Sequence, residues 1–360
     1  MNEGSPRVVI TDCDHDNIEP EQRIFTEAGY DVRLAECKTA SDVIEQARQA
    51  DALINQYAPI DESVLAHLKR CRIVVRYGVG VDTVDVEAAT RHGVWVVNVP
   101  DYGTEEVSDH AFALLLNLLR GVGRYDRAVR SGEWEYSAVR PLRRLRTLTV
   151  GVIGCGHIGA GFARKVGCLG AHVLGYDTEQ IPEELVDDGV VEPVDLDELL
   201  ARADAVSLHA PLTDQTQHLI GTEQLRRMKP SAYLVNTSRG GLVDPAALLR
   251  ALDEGEIAGA ALDVLETEPP EAGDLLVTHE RVLITPHAAW YSEESMETLK
   301  SEVAREVVRV LSGERPRSPV NEPIGRGPDG RQHSGARRGR RIETGSLLKR
   351  LPPDRSVVPD

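Results

Sequence analysis

The chain has 360 residues, 41% of them hydrophobic, and a formal net charge of −17 at pH 7. That length and apolar content suffice for two cored domains. The acidic balance argues against nucleic acid and anionic membrane surfaces as partners, and no apolar run approaches the length of a membrane span.

In chain order, residues 7–100 alternate short apolar runs with helical patterns. The runs are Arg7–Ile10, Val32–Ala35, Ala52–Asn55, Ile73–Arg76 and Trp95–Val99, and the helical stretches are Glu21–Ala28, Ser41–Ala50, Glu62–Lys69 and Val86–His92. Gly29 and Gly93 stand where helices are expected to end. Strands alternating with helices predict a parallel sheet. One glycine-rich turn follows a strand here, Arg76-Tyr77-Gly78-Val79-Gly80-Val81-Asp82. Pro100 opens a crossing. Thr104 is the expected N-cap of a long amphipathic helix, with Glu105 and Glu106 at its positive end and Gly132 closing the region. From Leu148 a second α/β unit begins, with further strands expected at Ala205–His209, Tyr233–Asn236, Ala260–Val264 and Val282–Ile284. Ser292–Leu311 reads as a last amphipathic helix that returns to the first domain. From about Gly325 the composition turns basic and poor in apolar residues, which predicts a disordered, dispensable tail over 325–360. Cys13, Cys37, Cys71, Cys155 and Cys168 show no C-x-x-C spacing and read as free thiols in a reducing compartment. With no signal-peptide core at the N-terminus, the expected location is cytoplasmic.

The second unit opens with a fingerprint. The apolar run Leu148–Ile153 leads into Gly154-Cys155-Gly156-His157-Ile158-Gly159, then a helical stretch, a second apolar run and Asp177. Strand, glycine turn, helix, strand and acid is the pattern of a dinucleotide-binding βαβ unit. Gly154 permits the tight turn, Gly156 lets backbone approach a pyrophosphate, and Gly159 lets helix and strand pack closely. The helix N-terminus offers unpaired N–H groups to the phosphates. Asp177 falls about 20 residues beyond the first glycine, where a carboxylate accepts from ribose hydroxyls and repels a 2′-phosphate. NAD is therefore expected over NADP.

Ligands in open α/β sheets bind beyond the carboxyl ends of strands. Polar residues after three of the expected strands are the candidates: Arg239 after Leu234-Val235-Asn236, the acids after Asp263-Val264, and His287 after Leu283-Ile284-Thr285-Pro286. Singly, these are more often a surface charge, a turn and a loop histidine. Together they match hydride chemistry at a carbonyl. A guanidinium holds a carboxylate or polarises a carbonyl, histidine donates the proton, and a neighbouring carboxylate fixes the imidazole tautomer and favours its charged form.

These stretches, with Asn236-Thr237-Ser238-Arg239-Gly240-Gly241, Asp263-Val264-Leu265-Glu266-Thr267-Glu268-Pro269 and Pro286-His287-Ala288-Ala289-Trp290-Tyr291-Ser292-Glu293, resemble the D-isomer-specific 2-hydroxyacid dehydrogenases over residues 7–322. The Trp-Tyr-Ser-Glu run points to the branch that contains C-terminal-binding proteins. The resemblance implies two Rossmann-like or flavodoxin-like α/β lobes with parallel sheets and an active-site cleft between them. It implies a substrate lobe of residues 1–100 and 290–324 and an NAD-binding lobe of 101–289. It implies that Arg239 binds and polarises substrate, that His287 is the acid/base with Glu268 as its partner, and that Arg76, Val79, Gly80 and Trp290 contact substrate. NAD contacts would come from Ile153, Gly154, Cys155, Gly156, His157, Ile158, Gly159, Asp177, Ala210, Pro211, Thr216, Thr237, Ser238 and Asp263. It also implies a homodimer joined by the segment around Thr104–Arg130. The expected activity is NAD-dependent interconversion of a D-2-hydroxy acid and a 2-oxo acid. An NAD-sensing, non-catalytic scaffold and a phosphoglycerate dehydrogenase are the alternatives. Val79 departs from the serine expected there in animal C-terminal-binding proteins.

Overall fold

The computed structural model describes residues 5–15 and 17–324; the tail expected to be disordered lies outside them. The first lobe is a five-stranded sheet of β1 (Arg7–Ile10), β2 (Asp31–Leu34), β3 (Ala52–Asn55), β4 (Ile73–Arg76) and β5 (Trp95–Val97), in the order β2-β1-β3-β4-β5. Every pairing is parallel. The central strand β3 is wholly buried, as a parallel sheet covered on both faces requires. One face packs on the helices Ala40–Ala47 and Glu62–His67 through Val43, Ala47, Val64 and Leu65. The other packs on Phe25 and on Leu299, Val303, Val307 and Val310 of the last helix, Glu293–Leu311. That helix thus returns to the first lobe, as its amphipathic pattern predicts.

The second lobe is a seven-stranded parallel sheet of β6 (Thr149–Ile153), β7 (His172–Tyr176), β8 (Glu192–Pro193), β9 (Ala205–Leu208), β10 (Tyr233–Asn236), β11 (Gly259–Leu262) and β12 (Val282–Ile284). Its order is β12-β11-β10-β9-β6-β7-β8, so the strand order reverses between β6 and β9. The helix His157–Cys168 follows the glycine turn and packs Phe162, Ala163 and Val166 against Ala111, Leu114 and Leu115 of the crossing helix Thr104–Arg120.

Two local expectations are corrected. Gly103, not Thr104, is the N-cap of the crossing helix; it makes no side-chain cap bond, and Thr104 is already the first helical residue. The amphipathic run also does not continue unbroken to Gly132. It turns at Gly121, whose φ of 63° caps the first helix and starts a second, Val122–Arg130. A residue without Cβ takes that left-handed turn at no steric cost.

The chain enters the second lobe after β5 and leaves it after β12, and the two passages lie side by side. A Cβ on Gly103 would stand 3.3 Å from the Trp290 carbonyl, and Ser292 Oγ donates to Glu106 Oε1 at 2.7 Å.

Candidate active site

The reversal between β6 and β9 opens a crevice at the carboxyl ends of the strands, the place where such sheets bind dinucleotides. The glycine turn forms its floor. Gly154 has φ 90°, and a Cβ there would stand 2.6 Å from the carbonyl carbon of His209. A Cβ on Gly159 would overlap the Gly154 carbonyl oxygen, so only glycine lets the helix sit this close. Gly156 is different: nothing lies within 4 Å of where its Cβ would be. That open backbone, at the N-cap of helix His157–Cys168, fits a pyrophosphate. Cys155 is buried, and its N–H donates to Asp177 Oδ2 at 2.7 Å. Asp177 also accepts from the Glu179 N–H at 3.1 Å, so it braces the turn besides standing at the end of β7. His157 is exposed and its Nδ1 lies 2.8 Å from Asp101 Oδ1.

A cleft of about 550 Å³ runs from this crevice to the first lobe. It is lined by Arg76, Val79, Gly80, Ile158, Ala210, Pro211, Thr237, Ser238, Arg239, Asp263, His287 and Trp290, all expected from the sequence. Glu268 stands behind His287, its Oε2 2.7 Å from Nδ1. Ile153, the glycines 154, 156 and 159, Cys155, His157, Asp177 and Thr216 are not part of that wall. Thr216 instead shapes its own loop, donating from Oγ1 to the Pro211 carbonyl at 2.7 Å.

Strand ends position these side chains. After β10, Ser238 Oγ donates to the Leu208 carbonyl at 2.8 Å, which ties the loop to β9. Arg239 follows, with Nη1 donating to the Ser238 carbonyl at 2.8 Å. After β11, the buried Asp263 accepts from Thr285 Oγ1 at 2.5 Å and from the N–H groups of Ala288 and Ala289 at 3.0 and 2.9 Å. His287 adds its own N–H to the Asp263 carbonyl at 2.8 Å and takes φ 53°, a left-handed conformation that a non-glycine residue holds only when its surroundings fix it. Asp263 therefore acts on the histidine through backbone.

The charges are distributed unevenly. Burial alone would raise the Glu268 carboxyl. The hydrogen bond and charge of His287, with the Leu265 N–H and Arg239, outweigh it and hold the group below its ordinary value. Burial lowers the Arg76 guanidinium, and the positive charge of Arg239 lowers it further. Burial pushes the Tyr102 phenol up to about 12, so it stays neutral beside the two guanidiniums. Across the cleft, the N–H groups of Val79 and Gly80 find no acceptor among the described residues.

Sequence reasoning missed His209. It reads as the last residue of a strand, but it lines the cleft at the switch point. Its Nε2 lies 2.9 Å from Ser207 Oγ, and burial pushes the ring down to about 3. His209 Nδ1, Thr237 Oγ1 and Arg76 Nε are buried polar atoms of this one cleft without a partner among the described residues. Buried orphans carry a desolvation cost that a polar ligand relieves, so the residues present fit a nicotinamide dinucleotide and an acidic substrate.

Comparison with known proteins gives the same answer. Residues 112–289 match the family described as D-isomer specific 2-hydroxyacid dehydrogenase, NAD binding domain. The glyoxylate reductase of Korarchaeum cryptofilum is 44% identical over 78% of this chain and 86% of its own length. The D-3-phosphoglycerate dehydrogenase of Methanocaldococcus jannaschii is 38% identical over 88% of this chain, which spans only 60% of that longer protein. The crystal structure of D-lactate dehydrogenase from Aquifex aeolicus, complexed with NAD and lactic acid, superposes with a TM-score of 0.76 at 30% identity, covering 85% of this chain and 96% of that one. The chain belongs to the D-isomer-specific 2-hydroxyacid dehydrogenases, and it is an NAD-dependent oxidoreductase acting on the CH–OH group of 2-hydroxy acids.

Proposed function

We propose that the protein reduces a 2-oxo acid with a short side chain, glyoxylate first among them, to the 2-hydroxy acid. The observation that carries this is the meeting of the His287–Glu268 pair, Arg239 and the open N–H groups of Val79 and Gly80 at one cleft. NADH, held by the Gly154–Gly159 turn and Asp177, would supply the hydride. His287, with Nδ1 engaged by Glu268, presents Nε2 to the carbonyl oxygen and gives it a proton as the C–O bond becomes an alcohol. Arg239 polarises that oxygen and holds the carboxylate, which the Val79–Gly80 turn receives from the other side, with Arg76 adding positive charge. A positioned acid of this kind contributes about 10²- to 10⁴-fold in rate. Trp290 and Tyr102, with rings 6.0 Å apart, put two aromatic side chains in the cleft wall, which favours a substrate with a short side chain over a phosphate-bearing one. The names of the glyoxylate reductases among the relatives support the small-substrate reading.

The residues from 7 to 97 with the last helix form the substrate lobe in this reading, and the seven-stranded sheet forms the cofactor lobe. The working form is a cytoplasmic homodimer. Val122, Val129, Trp134 and Tyr136 support a second copy as partner, since all are exposed on the segment after the Gly121 bend. The C-terminal-binding branch rests on Trp290-Tyr291-Ser292-Glu293, and it would make the protein an NADH-binding scaffold. The test is NADH oxidation with a panel of 2-oxo acids beside direct NADH binding. Turnover with glyoxylate, and weaker turnover as the side chain grows, is expected. Tight NADH binding without turnover of any member would replace the enzyme with the scaffold.

A further inference from the structure

Arg239 stands on a loop of the second lobe, yet part of what holds it comes from the first. Its Nε donates to Asp82 Oδ2 at 3.2 Å, across the cleft. Its other hold is Nη1 on the carbonyl of the adjacent residue, Ser238, at 2.8 Å. Nη2 lies over Gly80, where a Cβ would overlap it and come within 2.8 Å of Asp82 Oδ2. A guanidinium is a planar fork, so fixing Nε and Nη1 also fixes the direction of Nη2. A contact to its own neighbour leaves a long side chain free to swing about its stem, and Asp82 is the anchor that removes this freedom. Asp82 also answers a repulsion. Arg76 and Arg239 oppose each other's charge here, and Asp82 favours the charged form of Arg76.

We propose that Asp82 is a positioning residue: from the first lobe it holds the Arg239 guanidinium across the cleft, aimed at the carbonyl and carboxylate of the 2-oxo acid. This rests on the reading of Arg239 given above. It makes Arg239 correctly aligned only when the two lobes stand at the separation that lets Asp82 reach it.

Asp82→Ala and Asp82→Asn separate this role from a simple field effect. Both remove the same charge, but only asparagine keeps an acceptor for Nε–H. Asp82 is half exposed, so both variants should melt like the wild type. Misalignment should cost Asp82→Ala about tenfold or more in kcat/KM for the 2-oxo acid, with kcat falling and the KM for NADH unmoved. Asp82→Asn should recover most of the loss. A field effect predicts otherwise: removing an anion beside an anionic substrate would lower its KM equally in both variants. Equal behaviour of the two, or a lower KM with unchanged kcat, overturns the positioning role while leaving the enzyme reading intact. A wild type inert toward every 2-oxo acid overturns the reading of the site, and the role of Asp82 with it.

Discussion

At the scale of single residues, His287 and Glu268 give the sharpest test. Glu268→Gln keeps the shape of the pair and removes its charge. The carboxylate that His287 holds below its ordinary value is then gone from Nδ1. kcat/KM for the 2-oxo acid should fall about tenfold or more while the Kd for NADH stays put, and an unchanged kcat/KM would take Glu268 out of the mechanism. His209 makes a prediction about stability instead. Burial pushes its ring down to about 3 in the folded chain from an ordinary value of 6.5. Between those values the unfolded chain binds more protons, so the contribution is complete above pH 6.5 and is lost as pH falls toward 3. The slope is at most about 1.4 kcal/mol per pH unit. His209→Gln should flatten the acid side of a plot of melting temperature against pH. Parallel curves for variant and wild type would show that the ring is not buried neutral.

Elements show where the sequence was legible. Strands β1, β3, β4 and β10 fall on apolar runs bounded by polar or turn residues, because a strand covered on both faces must be apolar, and the half-buried edge strand β12 keeps its run as well. The two-residue β8, Glu192–Pro193, is exposed and carries no such run, so pattern could not reveal it. Thr104 looked like a cap because its residue type suits one, but backbone geometry gave that place to Gly103. Within the site, motif residues were legible because each follows a strand end. His209 was not, because a histidine at the last position of an apolar strand has no local signature. The glycine turn is the element where packing is tightest. Gly159→Ala would drive a methyl into the Gly154 carbonyl, displacing helix His157–Cys168 from β6. Overpacking of this kind costs about 1–3 kcal/mol, so the melting temperature should fall and the Kd for NADH should rise together. A variant with normal NADH affinity would show that the helix can shift without moving the phosphate site.

For the whole molecule, assembly is the first question. Trp134 is 84% exposed and Tyr136 71%, beside an arginine-lined cavity of about 480 Å³. Trp134→Asp should convert a dimer into monomers in sedimentation velocity, with the melting temperature falling with dilution only in the wild type. A wild type that sediments as a monomer at every concentration would remove the second copy. The two passages between lobes carry a mechanical consequence. They run side by side, locked by the contact of Gly103 with Trp290 and by Ser292 on Glu106. Two covalent strands laid together behave like a door hinge: they yield to bending about one line and resist shear and torsion. Bending about that line is thus the expected motion of one lobe against the other. Trp290 meets this paired passage through its backbone and stands in the cleft wall as well, so any change in the angle between the lobes is expected to reshape the cleft first at Trp290.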